Sequence, residues 1–404
     1  MLNERKHIIR QRLPVATQCK MKREEVGEME RAENEKQLVE FPEEHKERLL
    51  MSGVDLSGKE RSGSFIQKDT QILLALARHA GLEVMPIAEA LETHEWLAEY
   101  FWKAVPADAD AYTKATHREK EVKGVFVRAK RGVKIPFPVQ ACFFIASEHT
   151  AQKVHNIIIA EEDAELHLIT GCATPEKFGS AVHIGVSEFY VGKNAKMSFA
   201  MIHNWSSDVG VRPRSAAIVE ENGTFISNYV CMEPAKSIQM YPSALLVGEN
   251  ALATFQSILY GRGNAKIDVG SKAVLAAKGS RAEIISRAVA TENAEITARG
   301  EIVGNSAGVK GHLECRGLLL SSSAKIHAIP ALRASHSDVE LSHEAAVGKI
   351  AEEEVRYLMA RGLSEEEATS FIIRGFLSID IKGLPPKLAS QVQRMVQLSA
   401  EKLL

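Results

Sequence analysis

Near the end of this 404-residue chain, a thiol, two imidazoles and a carboxylate stand at intervals that suit a shared site. Cys315 is followed by His327, with Pro330 just beyond, and then by the adjacent pair His343 and Glu344. Thiolate, imidazole and carboxylate together suit iron, and a thiol can also carry sulfur as a persulfide. Cys315 and Glu344 are 29 residues apart, so the set has meaning only in a fold that brings residues at that spacing together.

Other sequence chemistry is thin. Cys19, Cys142, Cys172 and Cys231 are scattered, with no CxxC pair, which argues against a structural zinc site and for reduced thiols. Each reads first as a small buried apolar residue. The stretch Gly53 to Glu60 approaches a phosphate loop, with Gly58-Lys59 in place. However, Glu60 stands where a hydroxyl should hold Mg²⁺, and charged helix precedes it instead of a strand. Nucleotide hydrolysis therefore points to a partner. Nucleophile elbows, HExxH and paired-carboxylate motifs are missing from the sequence.

The elements that would position the thiol are set by a rhythm. Turn residues at Asp163, Asn194, Asn222, Asn250, Asn264, Ser280, Asn293, Ser306, Ser323 and Ser337 each precede an alternating apolar strand, giving a unit of about 14 residues. A meander would use Asn-Gly turns throughout, and only Asn222-Gly223 fits. A propeller would repeat at about 40 residues or more. A flattened parallel β-helix fits best: two units, about 28 residues, complete one coil with a strand in each of two sheets. Short polar residues then take the corners. On this reading Cys315 and Glu344 lie one coil apart, in lateral contact.

Three regions follow. Residues 1–118 read as an N-terminal helical region, 119–342 as the β-helix core and 343–404 as a C-terminal helical domain. In the first, the charged run to about residue 50 reads as exposed helix and 52–65 as a loop. Leu73, Leu74, Leu76 and Ala77 suggest an apolar helix face over 68–104, with Thr93 as a later cap. In the last, Glu352–Arg361 reads as a helix closed by Gly362, and Ser364 with Glu367 forms a capping box for the next. That helix runs to about Leu377 with the stripe Ala368, Phe371, Ile372 and Phe376, and Pro385-Pro386 precedes a final helix. The tail reads either as a cap on the solenoid or as a partner-binding face.

Composition narrows the partners. Lys and Arg total 50 against 52 Asp and Glu, so no global field draws nucleic acid or a membrane surface. The longest uncharged run, Ile135–Ser147, is too short to span a bilayer, and the first residues lack an apolar leader core. The expectation is a cytoplasmic protein with neither a nucleic-acid nor a membrane partner.

The stretch SHEAAVGKIAEEEVRYLMARGLSEEEATSFIIRGFL, from Ser342, resembles the C-terminal signature of the SufB/SufD family of iron–sulfur cluster assembly scaffolds. Further matches are His203-Asn-Trp205, Tyr241-Pro with Leu246-Val-Gly-Glu, Ile284-Ile-Ser286, and Cys315 with His327-x-x-Pro330. The resemblance covers about residues 120–380. It implies a right-handed parallel β-helix between helical domains, a dimer of such subunits joined through the β-helix end, and an ABC-type ATPase, SufC, at the C-terminal helices. Cys315 matches the scaffold cysteine of SufB-type members, Glu344 the carboxylate beside it, and His343 the histidine contributed by SufD-type subunits. Having all three favours one SufB/D protein acting as a homodimer.

The N-terminal cysteine cluster of many SufB proteins is missing here, since Cys19 stands alone. Cys231 is a candidate sulfur-entry thiol and His327 a secondary site candidate. The resemblance also implies a cysteine desulfurase or other sulfur donor and a transient iron–sulfur cluster. A reduced flavin occurs in such complexes, although no residue here identifies its site. The expected role is a non-enzymatic scaffold, with Phe371, Ile372 and Phe376 as the ATPase contact. Two rivals remain at this stage: a carbohydrate-active β-helix enzyme, disfavoured by few aromatics and no clustered Asp pair, and a structural protein-binding solenoid.

Overall fold

The corners of the fold explain the rhythm. Asp163, Asn194, Asn222 and Asn250 have φ of 60, 56, 54 and 57°, and Gly279 and Gly308 continue the same corner at 69 and 68°. This left-handed region excludes most side chains and favours Asn, Asp and Gly. The amides also stack: Asn194 Nδ2 donates to Asp163 Oδ1 (3.0 Å) and Asn222 Nδ2 to Asn194 Oδ1 (3.1 Å).

A computed structural model describes residues 41–233, 235–378, 389–390 and 393–394. It forms a parallel β-solenoid of about eight turns. One sheet stacks Val139–Phe144, Glu165–Ala173, Lys196–Asn204, Thr224–Cys231, Leu252–Gly261, Arg281–Ala290, Val309–Leu319 and Val339–Lys349. The facing sheet stacks Val125–Ala129, Ala151–Ala160, Ala181–Val191, Arg214–Val219, Ser243–Leu246, Lys266–Leu275, Glu295–Gly304 and Lys325–Ala334. Alternate side chains point between the sheets and form one continuous apolar core.

The start differs from the helical expectation. Gly63–Lys68 and Gln71–Ala77 form an antiparallel hairpin on the first sheet, and Leu82–Pro86 pairs antiparallel with Val125–Ala129. Leu74 and Leu76 are buried while their neighbours are less so, a period of two inside a run that composition alone made look helical. The antiparallel strands cover the edges of the first coil, which would otherwise be open to pairing.

Helix α1 is Glu43–Met51, α2 is Ile87–Thr93 and α3 is Ala111–His117. Thr93 ends α2 instead of capping the next segment, its hydroxyl donating to the Glu89 carbonyl (2.8 Å). The following chain lies on the outer face of the second sheet, where Glu188, fully buried, accepts the backbone N–H groups of Trp102, Ala104 and Val105.

The strands also run past His343, to Lys349, before helix returns. Helix α4 is Glu352–Met359 and α5 is Glu365–Leu377, the latter opened by the expected Ser364–Glu367 capping box. Helix α5 buries Ala368, Ile373 and Leu377, packing on Ile202, Val230, Ile258 and Val289 of the first sheet. Among the described residues, nothing pairs with the outer edges of Lys325–Ala334 and Val339–Lys349. No described helix is long and apolar enough to cross a membrane. Cys19, the charged run up to Glu40 and most of the final expected helix lie outside the described residues.

Candidate functional site

Register decides which side chains can meet. Cys315 pairs with Ser286 on one side and Ala345 on the other. Leu313 pairs with His343, and Glu314 with Glu344. The last coil is therefore 30 residues long, one more than the separation of Cys315 and Glu344. Because strand side chains alternate faces, that one residue places Glu344 on the opposite face of the sheet from Cys315.

Cys315 points inward and is 2% exposed. Burial pushes its thiol up to about 11, with Glu314 adding to the shift and Arg287 opposing it. His343 continues the inward row Phe255, Ile284, Leu313. With no coil beyond it among the described residues, it is exposed at the open end. It sits two residues from the position opposite Cys315, about 8 Å away by strand spacing and rise. Glu344 lies outside, its Oε2 3.6 Å from Arg316 Nη2.

His327 is brought to neither. It belongs to the facing sheet, points outward opposite Thr297, and has Nε2 3.8 Å from Glu295 Oε1. No group of three or more His, Cys, Asp or Glu among the described residues is arranged to hold a metal ion.

Inside the solenoid a polar column leads to Cys315. Tyr229, Ser257, Ser286 and Cys315 are in register on four successive coils, and the Ser257 hydroxyl donates to Ser286 Oγ (3.1 Å). Beside its start, Cys172, His203 and Cys231 form a second inward row. The Tyr229 hydroxyl meets His203 Nδ1 at 2.9 Å and the Cys231 thiol. The Cys231 thiol also donates to the Glu233 carbonyl (3.4 Å). Burial pushes Cys231 up to about 12, raises Cys172 well above the usual thiol range, and holds the His203 ring neutral. A narrow interior cavity is lined by Ser215, Ser227, Tyr229, Ser257 and Ser271.

Cys172, His203, Tyr229, Ser257 and Ser286 were not singled out from the sequence as site residues. Their signal was spacing: Tyr229, Ser257, Ser286 and Cys315 are separated by 28, 29 and 29 residues.

The proposed contact residues divide. Phe371, 57% exposed, and Ile372 line an open groove with Tyr357 and Leu358, while Phe376 is half-buried with Arg287 over its ring.

Residues 143–376, more than half the chain, match the family model described as SUF system FeS cluster assembly, SufBD core domain. The chain belongs to the SufBD family. A SufBD family iron–sulfur cluster assembly protein of Methanothermobacter thermautotrophicus is 50% identical over 380 residues, covering 93% of this chain and 92% of its own. One from Archaeoglobus fulgidus is 48% identical, covering 89% of this chain and 96% of its own. One from Pyrococcus horikoshii is 34% identical, covering 90% and 82%. As a SufBD protein the chain is a component of iron–sulfur cluster assembly.

Proposed function

We propose that this chain is the scaffold on which the cluster is built, and that Cys315 receives the sulfur. The observation that carries this is the inward-facing polar column from Cys172 and Cys231 through Tyr229, Ser257 and Ser286 to Cys315. Hydroxyl and thiol groups facing a solenoid core are costly unless they hydrogen-bond one another. A row of them ending on a thiol suits movement of sulfur inside the protein. Cys315 then holds sulfur beside the exposed His343, and iron is captured between them.

One chain offers too few ligands, since an iron–sulfur cluster usually takes four. Two copies joined through the open end would supply two Cys315 thiolates and two His343 rings. Mixed ligation at such an interface suits a cluster that must later be released. The groove at Phe371 and Ile372 is the proposed seat of a SufC-type ABC ATPase, which would supply the hydrolysis this chain lacks a motif for. The sulfur donor would be a cysteine desulfurase or an equivalent, and the setting the cytoplasm.

Anaerobic reconstitution with iron(II) and sulfide tests the reading. The chain should develop sulfide-to-iron charge-transfer bands in the visible, and Cys315→Ala should lack them. A Cys315→Ala protein that still holds a full cluster overturns the assignment.

A further inference from the structure

The outer face of the Cys315 strand carries a chain of charges that begins under α5. The Arg287 guanidinium stands over the Phe376 ring, 6.0 Å from its centre. Arg287 Nη1 is 2.5 Å from Glu314 Oε1, and Arg316 Nε is 2.9 Å from the same oxygen. Arg316 Nη2 then reaches Glu344 Oε2 at 3.6 Å.

Two guanidiniums therefore share one carboxylate oxygen. Arg287 and Glu314 are only 14% and 13% exposed, so solvent and salt screen their attraction poorly. While Arg287 is in place, the Glu314 charge is divided and Arg316 retains attraction for Glu344. If α5 lifts away, Arg287 loses the aromatic face that orients it. Glu314 then draws Arg316 fully, and the longest link, to Glu344, breaks first.

We propose that Arg287 and Glu314 are positioning residues through which the seat of α5 sets whether Glu344 is held on the outer face or released. This rests on the reading of the Cys315 edge as the assembly site and of α4 and α5 as the partner seat. It gives that partner a physical route to the last strand and makes Glu344 a regulated ligand.

Carbodiimide labelling of carboxylates in the full chain, read by mass spectrometry, tests this. Arg287→Gln should raise the labelling rate of Glu344 about two- to fivefold, the range that the loss of one partly exposed ion pair allows. Phe376→Ala should act in the same direction, and Arg287→Lys should restore the original rate. Glu340, paired with Lys310 on the same strand, is the control and should not change. An unchanged Glu344 rate overturns the proposal, as does an equal rise at Glu340, which would mean that the strand has merely frayed. No iron is involved, so a failure here leaves the Cys315-dependent bands to be judged separately. Absence of those bands from the unsubstituted chain, or their persistence in Cys315→Ala, with the labelling change intact would instead sink the scaffold reading.

Discussion

Cys315 and Glu344 lie on opposite faces of one sheet, although they are a coil apart in sequence. The register pairs Glu344 with Glu314, and Cys315 with Ala345. The thiol shares its face with His343 instead. Any joint action of the thiol and this carboxylate therefore requires the last strand to move or a second chain to bring its own.

The interior column predicts a split between two ways of supplying sulfur. Ser257→Val with Ser286→Val should leave reconstitution with free sulfide unchanged. It should slow, about fivefold, cluster formation from a protein persulfide donor, since the one Ser257–Ser286 hydrogen bond that both changes remove is worth about 1 kcal/mol. Equal rates by both routes would remove the column from the mechanism.

The groove between α4 and α5 predicts that Phe371→Asp abolishes association with a purified SufC-type ATPase and leaves the melting temperature within about 2 °C, as expected of an exposed position. Phe376→Asp should also lower the melting temperature, because that ring is half-buried. Size-exclusion chromatography and thermal melts separate the two. Undiminished association of Phe371→Asp would refute the docking assignment.

The corner ladder can be dissected at Asn222. Asn222→Ala loses both ladder amide bonds and leaves at φ 54° a side chain without the local polar contacts that let Asn adopt it, for a total of about 2 kcal/mol. Asn222→Gly loses the bonds but tolerates the backbone, and should cost about half as much. Denaturant melts give both values, and equal losses would show that the conformation contributes nothing.

Stability should fall at both extremes of pH. His183 is held down to about 4 by burial, and His203 is lowered in the same way. Below the ordinary histidine range the unfolded chain binds more protons than the folded one. The stability carried by His183 is therefore full above about pH 6.5 and is lost toward pH 4, by roughly 1.4 kcal/mol per pH unit, and His203 acts in the same direction. Cys231 and Cys315, raised to about 12 and 11, act in the opposite sense: the unfolded thiols ionise first, so stability falls as pH rises above about 9. Melting curves across pH should show the acid limb flatten in His183→Gln, and an unaltered limb would place the titration elsewhere.

Much of this architecture was legible because one row of corners uses left-handed residues. Asn194, Asn222 and Asn250 mark a coil of about 28 residues by their spacing alone. The hairpin at Gln71–Ala77 was not legible, since a run rich in Leu and Ala hides its period of two. At the candidate site the sequence spacing suggested Cys315, His343 and Glu344 as neighbours, while the face of Glu344 turned on a coil length of 30 instead of 29, which no local pattern encodes. The stripe Ala368, Phe371, Ile372 and Phe376 left out residues that pack on the sheet because the helix is apolar on two sides. Ile373 and Leu377, not Phe371, meet the sheet.

Among the described residues the last strands are unpaired on their outer edges, and this bears on how the chain behaves alone. Val339–Lys349 and Lys325–Ala334 present a ready template for further strands, and such edges stack without limit when left bare. The isolated chain at high concentration should therefore tend to self-associate through that end, and a charge placed on the edge should suppress it.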